Sequence, residues 1–279
     1  TQKIGEVKVL SGDFDSFSAV ELVDQNPIGK SSRSNPVTYV KAYDAIRELF
    51  STMPIAKQRG FKTKHFSFNV DGGRCENCQG EGEEVVEMQF MADLHLPCEE
   101  CNGRRFKDEV LDVEFRKKNI YDVLNLTVDE AIDFFKGQKP IINKLLPLQE
   151  VGLGYVKLGQ SSNSLSGGEA QRIKLATFLA KSQNKDKVLF IFDEPTTGLH
   201  FHDIKKLLKS FNALIDKGHS IVVIEHNLDV VKCADWVIDL GPEGGDGGGE
   251  LMFAGTPEDM IKKPVLKKSV TAQFLKEKI

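Results

Sequence analysis

Apolar positions along this chain follow two rhythms, one of strand length and one of helical period. Short apolar runs occur at 18–23, 188–193, 220–225 and 235–240, and each gives way to polar or glycine-rich residues. Runs of that length and composition read as strands buried in a sheet. Glu84 to Phe90 alternates and predicts a further strand. Helical spacing fills the gaps. Thr38 is placed to cap a helix reaching about Thr52, with Val40, Tyr43, Ile46 and Phe50 on one face. Thr127-Val128-Asp129-Glu130 is a capping box, opening a helix with Ala131, Phe134 and Phe135 toward the core. A second helix follows Pro140 and ends near Gly152. Ile173, Ala176, Leu179 and Ala180 form one stripe, and Ile204, Leu207, Leu208, Phe211, Leu214 and Ile215 another, closed by Gly218. Gly241 to Gly249 reads as a hairpin, and Thr256-Pro257-Glu258 as the capped start of a short helix.

Composition narrows the class. With 279 residues, 40% hydrophobic and 28% charged, the chain has room for roughly two domains. No apolar run approaches the ~20 residues of a membrane span, and no signal-peptide pattern follows Thr1, so a cytoplasmic protein is expected. A formal net charge of −4 argues against a polyanion-coating protein and leaves only local basic patches.

Cysteine changes the picture. Four of the five form two C-x-x-C pairs, Cys75/Cys78 and Cys98/Cys101, with nineteen residues between the pairs. That spacing predicts a structural four-cysteine zinc site in preference to a redox pair, since neither pair opens a helix. The glycines after each pair suit knuckles in which backbone N–H groups turn toward sulfur. The C-x-x-C-x-G-x-G run is similar to the zinc hairpins of DnaJ-type chaperones, which use four such pairs. Lys30, Arg33, Arg74, Arg104 and Arg105 lie around this module and are candidates for phosphate contact with DNA.

Phosphate chemistry is concentrated in Leu165-Ser166-Gly167-Gly168-Glu169-Ala170-Gln171-Arg172 and, about twenty residues on, Val188-Leu189-Phe190-Ile191-Phe192-Asp193-Glu194-Pro195. In the first stretch two glycines precede a helix, whose N-terminus is an anion site. The second delivers Asp193 and Glu194 to the carboxyl edge of a sheet, where α/β folds bind ligands. An aspartate there can hold Mg²⁺ and the adjacent glutamate can polarise a water. Gly29-Lys30-Ser31 imitates the end of a phosphate-binding P-loop, but the first glycine of G-x-x-x-x-G-K-[ST] falls on Asp24 and Pro27 intrudes. No other P-loop pattern is present.

Together the two stretches resemble the signature sequence and Walker B strand of ABC-type ATPases. With Asp24-Gln25-Asn26-Pro27-Ile28-Gly29, the cysteine pairs, Asp193-Glu194-Pro195-Thr196-Thr197-Gly198-Leu199-His200 and the glycine-rich 241–249, the resemblance sharpens to the C-terminal part of the UvrA family, the ATPases of bacterial nucleotide excision repair. It covers nearly the whole chain from about Glu21. The resemblance implies an α/β fold: part of an ABC-ATPase nucleotide-binding domain with a helical signature lobe carrying a zinc insertion. The core segment would occupy 1–30 and end in the Q-loop. The lobe would occupy 31–160, with its zinc module at about 66–108. Signature, Walker B, D-loop and switch histidine would follow in 161–279.

The resemblance also implies roles. Glu194 orients water, while Gln25 and His226 contact the γ-phosphate and that water. Asp193 serves Mg²⁺, and Ser166, Gly167, Gly168 and Glu169 act on nucleotide held by an opposing module. ATP, Mg²⁺ and structural Zn²⁺ are the implied cofactors. Lesion-bearing duplex DNA, a second UvrA protomer and UvrB are the implied partners, with no membrane. The Walker A loop is expected upstream of Thr1, so the chain alone is expected to be inactive. The competing expectation is a zinc-stabilised DNA-binding or interaction module without ATPase activity of its own.

Overall fold

Three parallel strands frame the molecule. In the computed structural model, which describes residues 11–29, 31, 33–86, 88, 94–180, 186–244 and 248–279, β1 (Ala19–Val23) pairs with the central strand and so does the last of the three. The intervening chain first builds a helical lobe. Its helices are α1 (Pro36–Tyr39), α2 (Ala42–Ser51) and α3 (Pro54–Gln58) before the cysteine module. That module carries the antiparallel hairpin β2 (Glu83–Val86) and β3 (Leu94–Pro97). After it come α4 (Asp108–Leu111), α5 (Ile120–Asn125), α6 (Val128–Phe134) and α7 (Lys139–Glu150).

The chain then returns to the sheet through α8 (Gly167–Ala180). The central strand β4 (Val188–Asp193), helix α9 (Phe201–Ile215) and strand β5 (Ser220–Ile224) complete it. Val23 stands opposite Phe192, and Asp193 opposite Ile224, so all three strands end at one edge. Past α10 (Leu228–Val231), strands β6 (Val237–Gly241) and β7 (Glu250–Gly255) form an antiparallel pair. Helices α11 (Pro257–Met260), α12 (Lys263–Leu266) and α13 (Val270–Leu275) close the chain around a small core of Met260, Ala272 and Leu275. Asp239 of β6 ties α13 down by accepting from Ser269 Oγ at 2.6 Å and Thr271 Oγ1 at 2.9 Å.

One core runs from lobe to sheet without a break. On the sheet side, Phe190 meets Phe178 of α8 with ring centroids 4.9 Å apart, and Phe192 meets Phe211 of α9 at 4.7 Å. On the lobe side, Ile46, Phe50, Phe66, Phe68, Leu145 and Leu148 are fully buried. These aromatic contacts fix α8, and with it the signature, against the same face that carries Walker B.

The other face of the sheet departs from expectation. Strand register places Val20, Leu22, Leu189, Ile191, Val222 and Ile224 on it together. Val20 and Leu22 are each 60% exposed, and Val222 and Ile224 about half. Strands β5 and β6, expected as buried, are therefore covered on one side only; Ile238 and Leu240 are also exposed. The apolarity of β1, β4 and β5 is that of a parallel sheet made to be covered twice, and among the described residues this face of the sheet stays open at Val20 and Leu22.

The helix expected from Thr38 is two helices. Asn35 caps α1, with Thr38 completing a capping box from the third position, and Lys41 in the left-handed region (φ +60°) redirects the chain into α2. Gly241 to Gly249 does connect two strands of a hairpin, though 245–247 lie outside the described residues, as do 87, 89 and 90 of the strand expected from Glu84. No helix among the described residues is long and apolar enough to cross a membrane.

Candidate functional site

The carboxyl edge of the three-stranded sheet gathers residues that lie far apart in sequence. Gln25, two residues past β1, donates its side-chain amide to the backbone oxygen of Glu194 at 3.2 Å. Glu194, directly after β4, is held with φ +44° and donates its own N–H to Ile224 O at 2.9 Å, extending the ladder one step past the strand. A glutamate in the left-handed region is uncommon and costs conformational energy of order 1–3 kcal/mol. The turn aims its side chain across to β5. Glu194 Oε1 lies 3.4 Å from His226 Nε2, and Thr197 Oγ1 is 3.4 Å from Glu194 Oε2. Asp193 is exposed beside them. Thus Gln25, Asp193, Glu194 and His226 share one edge.

The signature sits at the same edge. Ser166 and Glu169 form a reciprocal capping box: Ser166 N–H donates to Glu169 Oε2 at 2.8 Å, and Glu169 N–H to Ser166 Oγ at 3.2 Å. The S-x-x-E spacing that signals such a box is present in the sequence, alongside the glycines that suggest phosphate chemistry. The glycines serve close approach within the chain. A Cβ on Gly167 would lie 2.8 Å from Gln25 Oε1, and one on Gly168 would lie 3.2 Å from Thr197 O. Both distances are too short for ordinary packing, so the glycine pair lets α8 close on the Q-loop and D-loop together.

Four residues that the motifs did not single out hold this arrangement. Gln171, buried in α8, donates its amide to Val23 O at 2.6 Å and Asp193 O at 3.0 Å, joining the ends of β1 and β4. Lys174, one turn on, bonds both the carboxylate and the backbone oxygen of Asp24, and Asn26 O at 2.8 Å. That hydrogen bond holds the Asp24 carboxyl below its ordinary pKa. Tyr155 donates to Glu169 Oε1 at 2.7 Å; burial, then this acceptor, push its hydroxyl up to about 12. Glu225, between β5 and His226, accepts from three backbone N–H groups. Spacing on a helix could have flagged Gln171 and Lys174, three residues apart, but polar helical residues usually read as solvated surface.

The cysteine module closes on itself. The two knuckles repeat one geometry: Gln79 and Gly80 after the first pair, Asn102 and Gly103 after the second, all with positive φ. Gly82 N–H donates to Cys78 Sγ at 3.2 Å, and Asn77 Nδ2 to Cys98 Sγ at 3.3 Å. All four cysteines are buried, and their sulfurs lie within 4.8 Å of one another, with Cys75–Cys98 at 3.9 Å and Cys78–Cys101 at 3.7 Å. Tetrahedral thiolate ligation of a zinc-sized ion sets sulfurs about 3.8 Å apart. The cluster fits a metal ion in spacing, charge type and N–H support. Burial pushes the Cys75 thiol up to about 12. Cys233, the fifth cysteine, is exposed just past α10 and donates to Asp229 O at 3.3 Å.

The basic candidates divide. Arg33 and Arg74 both donate to Gln79 O, at 3.5 and 3.1 Å, and pair with Glu81 and Asp71. Arg104 pairs with Asp108 at 2.9 Å. Arg105 turns inward, its guanidinium over the Phe68 ring at 5.6 Å with Nη1 buried, so it supports the module. Lys30 lies outside the described residues.

Comparison with known proteins agrees with this layout. No family model matches the chain. UvrABC system protein A of Rhizobium meliloti is 53% identical over 264 residues, 95% of this chain and 27% of that protein. Its counterpart in Aquifex aeolicus is 52% identical over 276 residues, 99% of this chain and 29% of that protein. In structure the chain is similar to UvrA2 from Deinococcus radiodurans, with a TM-score of 0.89 and 47% identity over 96% of this chain and 32% of that one. The chain thus spans less than a third of the length of the relatives it matches. By sequence and by fold it belongs, as a part, to the family of the UvrABC system protein A, with the α/β architecture of an ABC ATPase.

Proposed function

We propose that this segment forms the catalytic edge and signature lobe of an ATPase that couples ATP binding and hydrolysis to recognition of damaged DNA in nucleotide excision repair. The observation that carries the reading is the convergence of Gln25, Asp193, Glu194 and His226 at one sheet edge, in a chain about half identical to UvrABC system protein A. Glu194 would orient the attacking water, Gln25 and His226 would meet the γ-phosphate and that water, and Asp193 would hold Mg²⁺. Positioning and electrostatics supply most of the catalysis in phosphoryl transfer. Ser166, Gly167, Gly168 and Glu169 would present the start of α8 to nucleotide bound by an opposing module.

The sequence has no P-loop, so the phosphate cradle would come from elsewhere in the intact protein, and this chain by itself would not turn over ATP. The uncovered apolar face of the sheet supports that view, because a parallel sheet needs a second layer. The four cysteines would hold one structural Zn²⁺. Arg33, Arg74 and Arg104 would contact backbone phosphates of lesion-bearing duplex DNA, with a second protomer and UvrB as partners in the cytoplasm.

Duplex binding by the intact protein tests the reading. Affinity should depend on nucleotide and rise with a bulky lesion. Replacing Arg33 and Arg104 by Ala should weaken binding alike for all sequences and flatten its salt dependence. Affinity indifferent to both nucleotide and lesion would count against it.

A further inference from the structure

Glu225 lies between the end of β5 and His226, and its carboxylate is committed entirely to backbone. Oε1 accepts from Thr196 N–H at 2.8 Å, in the turn that follows Walker B. Oε2 accepts from His226 N–H at 3.0 Å and from Asn227 N–H at 3.1 Å. One side chain therefore joins the loops that leave two neighbouring strands, β4 and β5.

The pair lying between those loops does little to hold itself. The side chains of His226 and Glu194 are 84% and 48% exposed, and they approach only to 3.4 Å. A polar contact that open contributes little and fixes little. Its geometry is inherited from the backbone beneath it. Glu194 is framed by its ladder bond to Ile224, and His226 by the carboxylate of Glu225. Two successive N–H groups converging on one oxygen favour an anion at that point.

We propose that Glu225 is a positioning residue for the ATP hydrolysis assigned above, clamping the D-loop to the switch-histidine turn and so setting where His226 stands relative to Glu194. The inference rests on the ATPase reading. A glutamine of the same shape has one acceptor oxygen and would turn its NH₂ toward an N–H donor, so it loses at least one of the three bonds. An aspartate keeps the charge but is one methylene short of spanning both loops.

The test uses the intact protein, with turnover expressed per molecule of nucleotide bound so that unfolded protein does not count. Glu225→Gln should lower turnover about 10-fold or more while changing the KM for ATP less than about threefold. Glu225→Asp should also lower turnover with near-normal nucleotide binding. In a His226→Ala background, Glu225→Gln should cost less than about twofold further, because the residue it positions is gone. Amide exchange at Thr196, His226 and Asn227 should speed up together. Wild-type turnover in Glu225→Gln, or the same fold loss with and without His226, would overturn the inference. An inactive wild type, or full turnover in Glu194→Gln, would instead strike the ATPase reading and carry this inference down with it.

Discussion

The side-chain amide of Gln25 donates to the backbone oxygen of Glu194 at 3.2 Å, across 169 residues of sequence. Behind it, the amide of Gln171 donates to Val23 O and Asp193 O, one residue short of the β1 end loop and of Glu194 respectively. Two glutamines thus pin the ends of β1 and β4 to each other. The second is carried by the signature helix, so Q-loop, Walker B and signature form a single frame.

Gln171→Leu tests that frame. Leucine keeps most of the volume but leaves two strand-end carbonyls without this donor, that of Val23 buried and that of Asp193 partly so. An unpaired buried acceptor costs roughly 1–3 kcal/mol, and Gln171 Oε1 itself has no partner among the described residues, which returns part of the loss. The expected destabilisation is about 1–3 kcal/mol in urea unfolding, with metal content unchanged. A shift under about 0.5 kcal/mol, the scale of an ordinary surface change, would show that the clamp is incidental.

The four-cysteine cluster makes a stoichiometric prediction. Protein purified without chelator should hold one zinc per chain, with only Cys233 reacting rapidly with a thiol reagent. Chelation should expose all five cysteines and unfold the module, since such sites contribute ~10–16 kcal/mol of apparent binding energy. Elemental analysis showing no zinc, or five equally reactive thiols before chelation, would refute it.

Acid should weaken the Q-loop anchor. The Asp24 carboxyl is held below its ordinary value chiefly by the hydrogen bond from Lys174. Its folded-state pKa lies below its unfolded one, so the folded state binds this proton less readily. The stabilisation is complete above the ordinary carboxylate value near 4 and is lost as pH falls through the lower folded value. Urea midpoints between pH 6 and pH 3 should fall less steeply in Asp24→Asn than in the wild type. Parallel curves would remove Asp24 from the acid response.

Much of this architecture is legible in sequence because the physics is local. Apolar runs of strand length, the S/T-x-x-E boxes and the C-x-x-C spacing each carry their own chemistry, and the strands, caps and cysteine cluster follow. What was not legible depends on neighbours brought from afar. Gln171 and Glu225 look like ordinary polar residues until the strand ends they bridge are placed beside them. Lys41 gives no local sign that its backbone turns left-handed and splits a helix. Arg105 reads as a surface cation, yet Phe68 offers it a ring. The runs at 220–225 and 235–240 read as buried strands because periodicity reports apolarity and not what covers it.

On the proposed reading, the edge bearing Glu194 is the water-orienting side of an ATPase site. Glu194→Gln in the intact protein measures it most directly, because the amide keeps the shape and the neighbouring Asp193 but removes the carboxylate. Nucleotide should bind with near-normal affinity while steady-state ATP hydrolysis falls by at least about 100-fold. Hydrolysis at the wild-type rate in that variant would remove Glu194 from the water-orienting role.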